Sequence, residues 1–524
     1  MAQITSSSGG SPGAPDLSTH RLIHEKILQW LRSETSLEVD HIDYDASLFE
    51  LGVDSLGAAS IAAELEQDTR TTVNPEVVYE LETINELAGY LDSLPVAPAR
   101  QTDRSAADAG PPELQDAPAA AGSDGRDSDG LLQHYERLNR RVKSLKEQGL
   151  YFFEPEISVH DGAWVVADGK RMLMLGSYEY LGLLGHLHLR NTAIAAIEEF
   201  GTGHHGVRLL AGTTTVHRRL EAKLAAFMRA EDAVVFSSGY VTNLATLSTL
   251  VGRGDCVIGD QWNHASIVDG CRMSGAEFRE FKHNCMDSLA ENLEKAQGRR
   301  TLVVVDAVFS MDGDIVDLPT VVELCRKHQA LLMVDEAHSL GVLGKTGRGI
   351  QEHFGLEPDD IDVKMGTLSK TLAGCGGFIA GRKEITTYLR HHARGYIFSG
   401  ALPAGQASVA IAALEIIERE PELVERLWEN VAHYLRGLKT LGFDTGNSVT
   451  PIVPVMTRND TITLEMTRIC RSEGLLVIPV CFPAVPLDAP RLRTCVSAIH
   501  SRQDIDFALD VLARAGRQTK LIVS

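Results

Sequence analysis

Two groups of residues in this chain have the types and spacing of reactive sites. In the first, Gly366-Thr367-Leu368-Ser369-Lys370 is followed closely by Gly374, Gly376 and Gly377. A turn rich in small residues lets a bulky group approach the backbone, and a lysine amine placed there can join an aldehyde. Upstream, Asp335 of Asp335-Glu336-Ala337-His338 closes the apolar run Leu331-Leu332-Met333-Val334, so its charge needs a buried cation. Further upstream, Ser237-Ser238-Gly239-Tyr240 follows Ala233-Val234-Val235-Phe236 and opens a helical pattern. Free backbone N–H groups at a helix start favour a phosphate. An anchor for an aldehyde, a carboxylate for a ring cation and a phosphate cradle are what pyridoxal 5'-phosphate (PLP) asks of a protein, together with a side chain to cover the ring face. The second group is Asp54-Ser55-Leu56, at the expected start of a helix in an acidic segment. Asp-Ser there is first of all an N-cap. An exposed serine at a helix start can also carry an attached group without disturbing a core.

Competing motifs fail on context. Asp335-Glu336-Ala337-His338 matches an ATPase signature, but that reading requires an upstream GxxxxGK[ST]. The only Gly-Lys-Thr, Gly344-Lys345-Thr346, lies downstream and has Ser339 where the first glycine belongs. Gly201-Thr202-Gly203-His204-His205-Gly206 matches GxGxxG, yet it follows the helical stretch Ala193 to Phe200 rather than a strand, which excludes a dinucleotide site. The His204-His205 pair has no Cys or carboxylate placed by spacing to complete a metal site.

The elements that must position these residues are legible as patterns. Ala233–Phe236, Thr301–Val305 and Leu331–Val334 are short, continuous apolar runs alternating with helical patterns, as in buried parallel strands of an α/β sheet. Asp306 and Asp335 close two of them, at the strand ends where such sheets gather ligand groups. Residues 20–95 read as short helices, with Ile23, Ile27 and Leu31, then Ile61 and Leu65, at helical spacing. Residues 1–19 are Ser/Gly/Pro-rich and expected to be disordered. Residues 96–130 are Ala, Pro, Gly, Asp and Ser with almost no large apolar side chain, a flexible linker whose span as a coil is about 30–35 Å.

At 524 residues the chain should hold two to four domains. Between His20 and Pro95, sixteen Asp/Glu face four Lys/Arg, a net −12 that is more than half of the total −21. That sign disfavours nucleic acid and suits docking on basic protein patches. The eight cysteines include no CxxC pair, and the first 255 residues have none. This fits a reducing compartment rather than a disulfide framework. No apolar run is long enough for a membrane span, and the N-terminus lacks the features of a secretory signal. The expected location is the cytoplasm.

Two resemblances join these observations. LFELGVDSLGAASIAAELE, Val77-Val78-Tyr79-Glu80 and the Ile84–Leu91 helix resemble acyl and peptidyl carrier domains. That resemblance implies a four-helix bundle at 20–95 with 4'-phosphopantetheine on Ser55. From 131 to 524, GTGHHGVRLLAGTTTVHRRLE, FSSGYVTNLA, QWNHASIVDG, VFSMDGD, VDEAHSLGVLG, GTLSKTLAGCGGFIAG, IFSGALP and RLRTCVSAIH resemble the α-oxoamine synthases, PLP enzymes of fold type I. The implied architecture is multidomain: a small all-α carrier, then a mostly parallel central sheet with helices (about 186–425) and a smaller α+β C-terminal domain (about 426–524). Carried over by position, Lys370 holds PLP, Asp335 pairs with the ring nitrogen and His264 stacks on the ring, these three being catalytic. His338 and Ser310 lie on the phenolic-oxygen side. Gly239, Tyr240, Thr367 and Ser369 bind the phosphate, with Ser399 reaching in from a partner subunit, and Arg493 binds the amino-acid carboxylate. Glu179 stands where the family commonly has Asn, which points to an altered substrate contact.

The implied reaction is a decarboxylative condensation of an amino acid with an acyl thioester, carried on the arm of Ser55, giving an α-aminoketone. The alternative is a family member using acyl-CoA, with the carrier auxiliary. A carrier-based interaction module with a decayed PLP domain is the non-enzymatic rival. A homodimer, a phosphopantetheinyl transferase and an acyl-loading enzyme or synthase are the implied partners.

Overall fold

The computed structural model describes residues 22–27, 61, 62, 65, 73, 78, 81, 83–93, 128–482, 484–486 and 488–523. Ser55, residues 1–19 and the 96–130 segment as far as residue 127 lie outside them. A helix already begins at Ser128, inside the expected linker, and runs to Glu147.

The chain forms two compact units, Met1–Tyr151 with Arg458–Leu464 and Cys481–Pro490, and Phe152–Thr457 with Glu465–Val480 and Arg491–Ser524. In the first, Ile23, Ile27, Ile61, Leu65, Val78, Ile84 and Leu87 share one buried core. The pairs at helical spacing are thus the inward stripes of their helices, and the expected final helix spans Ile84–Ser93.

The second unit is built on a seven-stranded sheet. Its strands in chain order are β1 (Asp232–Phe236), β2 (Cys256–Asp260), β3 (Glu277–Phe281), β4 (Thr301–Asp306), β5 (Leu331–Asp335), β6 (Val363–Thr367) and β7 (Gly377–Gly381). Their spatial order is β1-β7-β6-β5-β4-β2-β3. Only β7 runs antiparallel to its neighbours, so the sheet is mostly parallel. β2, β6 and β7 are buried along their whole length, and β1, β4 and β5 at all but their first residue, which explains the continuous apolar runs.

This topology delivers the reactive residues to one edge. The six parallel strands end together. Pairing puts Phe236, Gly377 and Thr367 in one row and Met365, Asp335 and Asp306 in a row two residues back. Because β7 turns back directly, the connection after Thr367 is a short reversal at that edge, and Lys370 sits in it. A three-stranded antiparallel sheet, ordered Ile452–Met456, Arg491–Cys495, Ile478–Val480, carries Arg493 on its middle strand. The helices Glu422–Leu441 and Arg502–Gln518 pack against each other, completing an α+β C-terminal part.

Candidate active site

At the carboxyl edge of the sheet a cavity of about 670 Å³, counted with its mouth, is lined by Gly239, Tyr240, His264, Asp335, His338, Thr367, Ser369 and Lys370, and also by Asn243, Ser266 and Asp306. Eight of the expected residues thus meet in one place. Ser310, Ser399 and Arg493 are not among its lining residues. Ser55 falls outside the described residues.

Lys370 is the centre of the polar network. Its Nζ lies 2.7 Å from His338 Nε2, and His338 Nδ1 lies 2.6 Å from the buried Tyr180 hydroxyl. Burial pushes the Lys370 amine down to about 8, while Asp335 and Asp306 oppose that fall. His338 is held far below the usual imidazole range, first by burial and then by the positive charges of Lys370 and Arg493. It is therefore a neutral acceptor for the amine. Tyr180 keeps its proton, because burial raises it well above its ordinary value.

Asp335 is held by two donors: Asn243 Nδ2 reaches Oδ2 at 2.7 Å and the Ala337 N–H reaches Oδ1 at 2.9 Å. The same Asn243 amide donates to Ser266 Oγ at 3.0 Å, and Ser266 Oγ is 2.7 Å from His264 Nδ1. His264 caps the helix Ala265–Ser274, with Nδ1 accepting the Ser266 N–H. Nδ1 therefore carries no proton, and burial lowers the affinity of the ring for a second one. A relay of side chains thus fixes the Asp335 carboxylate and the His264 ring relative to each other.

Next to Asp335, Asp306 Oδ2 accepts the His264 N–H at 3.1 Å while Oδ1 has no partner. Burial, then the charge of Asp335, raises Asp306 well above the ordinary carboxylate range. The buried Asn243 Oδ1 also has no partner.

At the other end of the cavity the helix Gly239–Leu250 starts behind the cap Ser238. A Cβ at Gly239 would sit 2.9 Å from Thr367 Oγ1, so the backbone of the helix start approaches the Lys370 turn as only glycine permits. Thr367 Oγ1 and Ser369 Oγ are 2.8 Å apart. The Tyr240 hydroxyl donates to Asp269, and Tyr240 also lines the cavity. Ser399 Oγ lies 3.2 Å from Ser237 Oγ of its own chain, beside the same cradle.

The residues present fit PLP. They offer a low-affinity amine, a doubly held carboxylate, an imidazole at the wall, hydroxyls at a helix start, and buried polar atoms in want of partners. Arg493 Nε donates to the Ser310 carbonyl at 2.8 Å, and its charge is felt by Lys370, His338 and Tyr180. Glu179, which stands where the family commonly has Asn, is held by its own turn. Its Oε1 accepts the Leu184 N–H at 2.9 Å, and the Leu183 and Gly182 N–H groups also bond to it. Burial raises it to about 7. Its carboxyl group is spent on a turn of its own segment.

Asn243, Ser266 and Tyr180 were not singled out as site residues. Asn243 and Ser266 stood inside runs already noted, and Asn243 lies one helical turn after Gly239, the one signal that could have found it.

The family model for aminotransferase class I and II matches residues 170–512, and that for the phosphopantetheine attachment site matches residues 25–91. An 8-amino-7-oxononanoate synthase of Symbiobacterium thermophilum is 43% identical over 387 residues, 74% of this chain and 98% of that protein. A serine palmitoyltransferase of Bacteriovorax stolpii is 41% identical over 381 residues, 72% of this chain and 90% of its own. Among solved structures, a serine palmitoyltransferase from S. paucimobilis with a bound PLP–myriocin aldimine superposes with a TM-score of 0.72 at 34% identity, covering 75% of this chain and all of that one. The Sphingomonas wittichii serine palmitoyltransferase does so with 0.72 at 32% identity and the same coverage.

Proposed function

The chain belongs to the aminotransferase class I and II family, with the α-oxoamine synthases of the 8-amino-7-oxononanoate synthase and serine palmitoyltransferase type, and on that premise we propose that it joins an amino acid to an acyl thioester held on the phosphopantetheine arm of its own Ser55. A carbon–carbon bond forms between the amino acid α carbon and the thioester carbonyl carbon. The thiol leaves with the proton taken from the α carbon, the carboxylate leaves as CO2, a proton takes its place on the α carbon, and an α-aminoketone is released.

When bound, PLP supplies an electron sink that acidifies the α carbon of an amino acid. Lys370 would anchor it, Asp335 would pair with its ring nitrogen and His264 would cover its ring. Gly239, Tyr240, Thr367 and Ser369 would hold the phosphate, with Ser399 reaching in from a partner subunit, and Ser310 and His338 would lie on the phenolic-oxygen side. The chain's own groups do the rest. Lys370 Nζ, lowered to about 8 by burial, gives up its proton far more readily than an ordinary lysine and, once neutral, can take one from the α carbon. His338, neutral at 2.7 Å, accepts a hydrogen bond from that amine and keeps it aimed. Arg493 would receive the amino-acid carboxylate through its planar fork.

The observation that carries this reading is the meeting of Lys370, Asp335 and the helix-start cradle at one cavity in a chain that also matches an attachment-site family. The borders 20–95 for the carrier, 96–130 for the linker and 131–524 for the synthase are part of the proposal, as are a homodimer, a phosphopantetheinyl transferase, a loading enzyme and a cytoplasmic setting. No described helix is long and apolar enough to cross a membrane.

The test is the intact mass of phosphopantetheinylated protein acylated on Ser55, before and after adding glycine, alanine or serine. Loss of the acyl mass with one amino acid, matched by CO2 and an aminoketone, is expected. If the acyl group stays while free acyl-CoA turns over, the carrier is not the donor and the CoA-dependent alternative takes its place. A borohydride-reducible chromophore absent in Lys370→Ala excludes a decayed domain.

A further inference from the structure

Behind the His264 wall lies a second cluster that the reaction does not use directly. His283 follows β3, and both its ring nitrogens face carboxylates. Nδ1 is 3.0 Å from Asp260 Oδ1 and Nε2 is 3.0 Å from Asp314 Oδ2. The Asp260 side chain is fully buried, and those of His283 and Asp314 are 13% and 11% exposed. The Trp262 ring stacks on the imidazole at 3.8 Å and Phe309 meets its edge at 4.4 Å. A neutral imidazole has one N–H and would turn a lone pair on one of the two carboxylates. Donation to both requires the imidazolium.

The two carboxylates belong to different walls of the cavity. Asp260 ends β2 and begins the turn to His264. Its Oδ1 accepts the Trp262 N–H at 2.8 Å, and Asn263 bonds across to Val304 and Asp306. Asp314 belongs to the reversal between Val308 and Ile315, which bridge each other. That loop presents the Ser310 carbonyl to Arg493 Nε, and Met311 and Asp312 to Arg491.

We propose that His283 is a positioning residue: as an imidazolium shared by Asp260 and Asp314, it locks the His264 turn to the loop that seats Arg493. This rests on the function proposed above for what the walls bind, but the lock itself is a property of the folded chain. Asp260 and Asp314 are the charged groups facing the ring, and Trp262 and Phe309 cover the rest. Those carboxylates raise His283 to about 9 against the opposing effect of burial. The lock is therefore closed at neutral pH and opens as pH rises through that value.

Two measurements test it on the PLP-loaded protein. The first is the 15N spectrum of the histidine rings, with His283 assigned by its loss in His283→Gln. Both nitrogens of His283 should be protonated at pH 7 and titrate near pH 9, and a neutral ring at pH 7 overturns the proposal. The second is the dissociation constant of glycine, L-alanine and L-serine, followed by the visible spectrum of bound PLP. In His283→Gln with unchanged circular dichroism, the constant for the amino acid that binds should rise at least tenfold. Wild type should lose affinity above pH 9 while the variant shows no such limb. An unchanged constant in the folded variant overturns the proposal. Should that variant not fold, Asp314→Asn replaces it, with the same two outcomes. If none of the three amino acids perturbs the wild-type spectrum, the proposed reaction fails, and the ring spectrum still decides the lock.

Discussion

Asp306 and Asp335 face each other at the ends of paired strands, and the two should respond very differently to the same substitution. Two carboxylates about 5 Å apart, the spacing of neighbouring strands, repel by about 3 kcal/mol at an effective dielectric near 20. That repulsion adds to burial in favouring a proton on one of them. Asp335 accepts hydrogen bonds from Asn243 and Ala337, whereas Asp306 accepts one from His264 and leaves Oδ1 bare. The better-held carboxylate takes the charge, in line with the upward shift of Asp306. Asp306→Asn then exchanges a neutral group for a neutral isostere whose oxygen can still accept the His264 N–H. Turnover should stay within about tenfold, the cost of about one ordinary hydrogen bond. Asp335→Asn removes the partner of a buried cation, a loss of about 3–5 kcal/mol, or two to three and a half decades in rate at about 1.4 kcal/mol per decade. The assay is steady-state aminoketone formation by each PLP-loaded variant, with PLP content measured from its absorbance. Equal losses in the two variants would refute the assignment of the charge to Asp335.

Three further outcomes follow from named contacts. Tyr180→Phe removes the 2.6 Å bond to His338 and leaves a buried ring nitrogen unpaired, so thermal unfolding should show a loss of about 1–3 kcal/mol. Without PLP, the Lys370 amine has a folded value of about 8 against 10.5 for the free side chain, so burial disfavours its charged form. The apo protein should therefore gain stability from this group as pH rises from 8 towards 10.5. Lys370→Met should abolish that gain in denaturant titrations run across the same window. Glu179 is raised from 4.5 to about 7, so its contribution is full below pH 4.5 and lost as pH rises through 7. Melting curves of Glu179→Gln should lack that loss, a difference of about 3 kcal/mol by pH 7.5. Retention of the full wild-type pH dependence would refute its burial against the 182–184 turn.

What could be read from the sequence was whatever a single segment encodes. β4 and β5 are continuous apolar runs because both faces of the sheet are covered, and such runs need no partner to be recognised. The helix Leu187–Phe200 ahead of Gly201-Thr202-Gly203 was legible too, and it disposed of the dinucleotide reading. The relay from Asp335 through Asn243, and the pair of Tyr180 with His338, join residues 92 and 158 positions apart. No local pattern encodes them. Glu179 shows the opposite hazard. A charged side chain at a position known for substrate contact suggested a new ligand, yet three backbone N–H groups within its own turn occupy it. Which way a carboxylate turns is decided by the loop geometry after it, and sequence spacing does not record that.

The carboxyl edge also poses an electrostatic problem that explains the assignments together. Asp260, Asp306 and Asp335 end three adjacent strands, β2, β4 and β5, and all three are buried. Three such anions would repel one another at a site whose purpose is to hold one cation. Each is handled by different chemistry. Asp260 lies against His283, which by the inference above carries the opposing charge, and it also accepts two backbone N–H groups. Asp306 is pushed towards its neutral form, because burial and then the charge of Asp335 raise it well above the ordinary carboxylate range. Asp335 is steadied on both its oxygens by neutral donors, an amide and a backbone N–H, which orient it without cancelling its charge. A neutral donor leaves the carboxylate free to pair with a ring nitrogen, whereas a resident lysine or arginine would have filled that role already. On this argument the asymmetry among three residues of identical type is what selects Asp335 as the cofactor's partner.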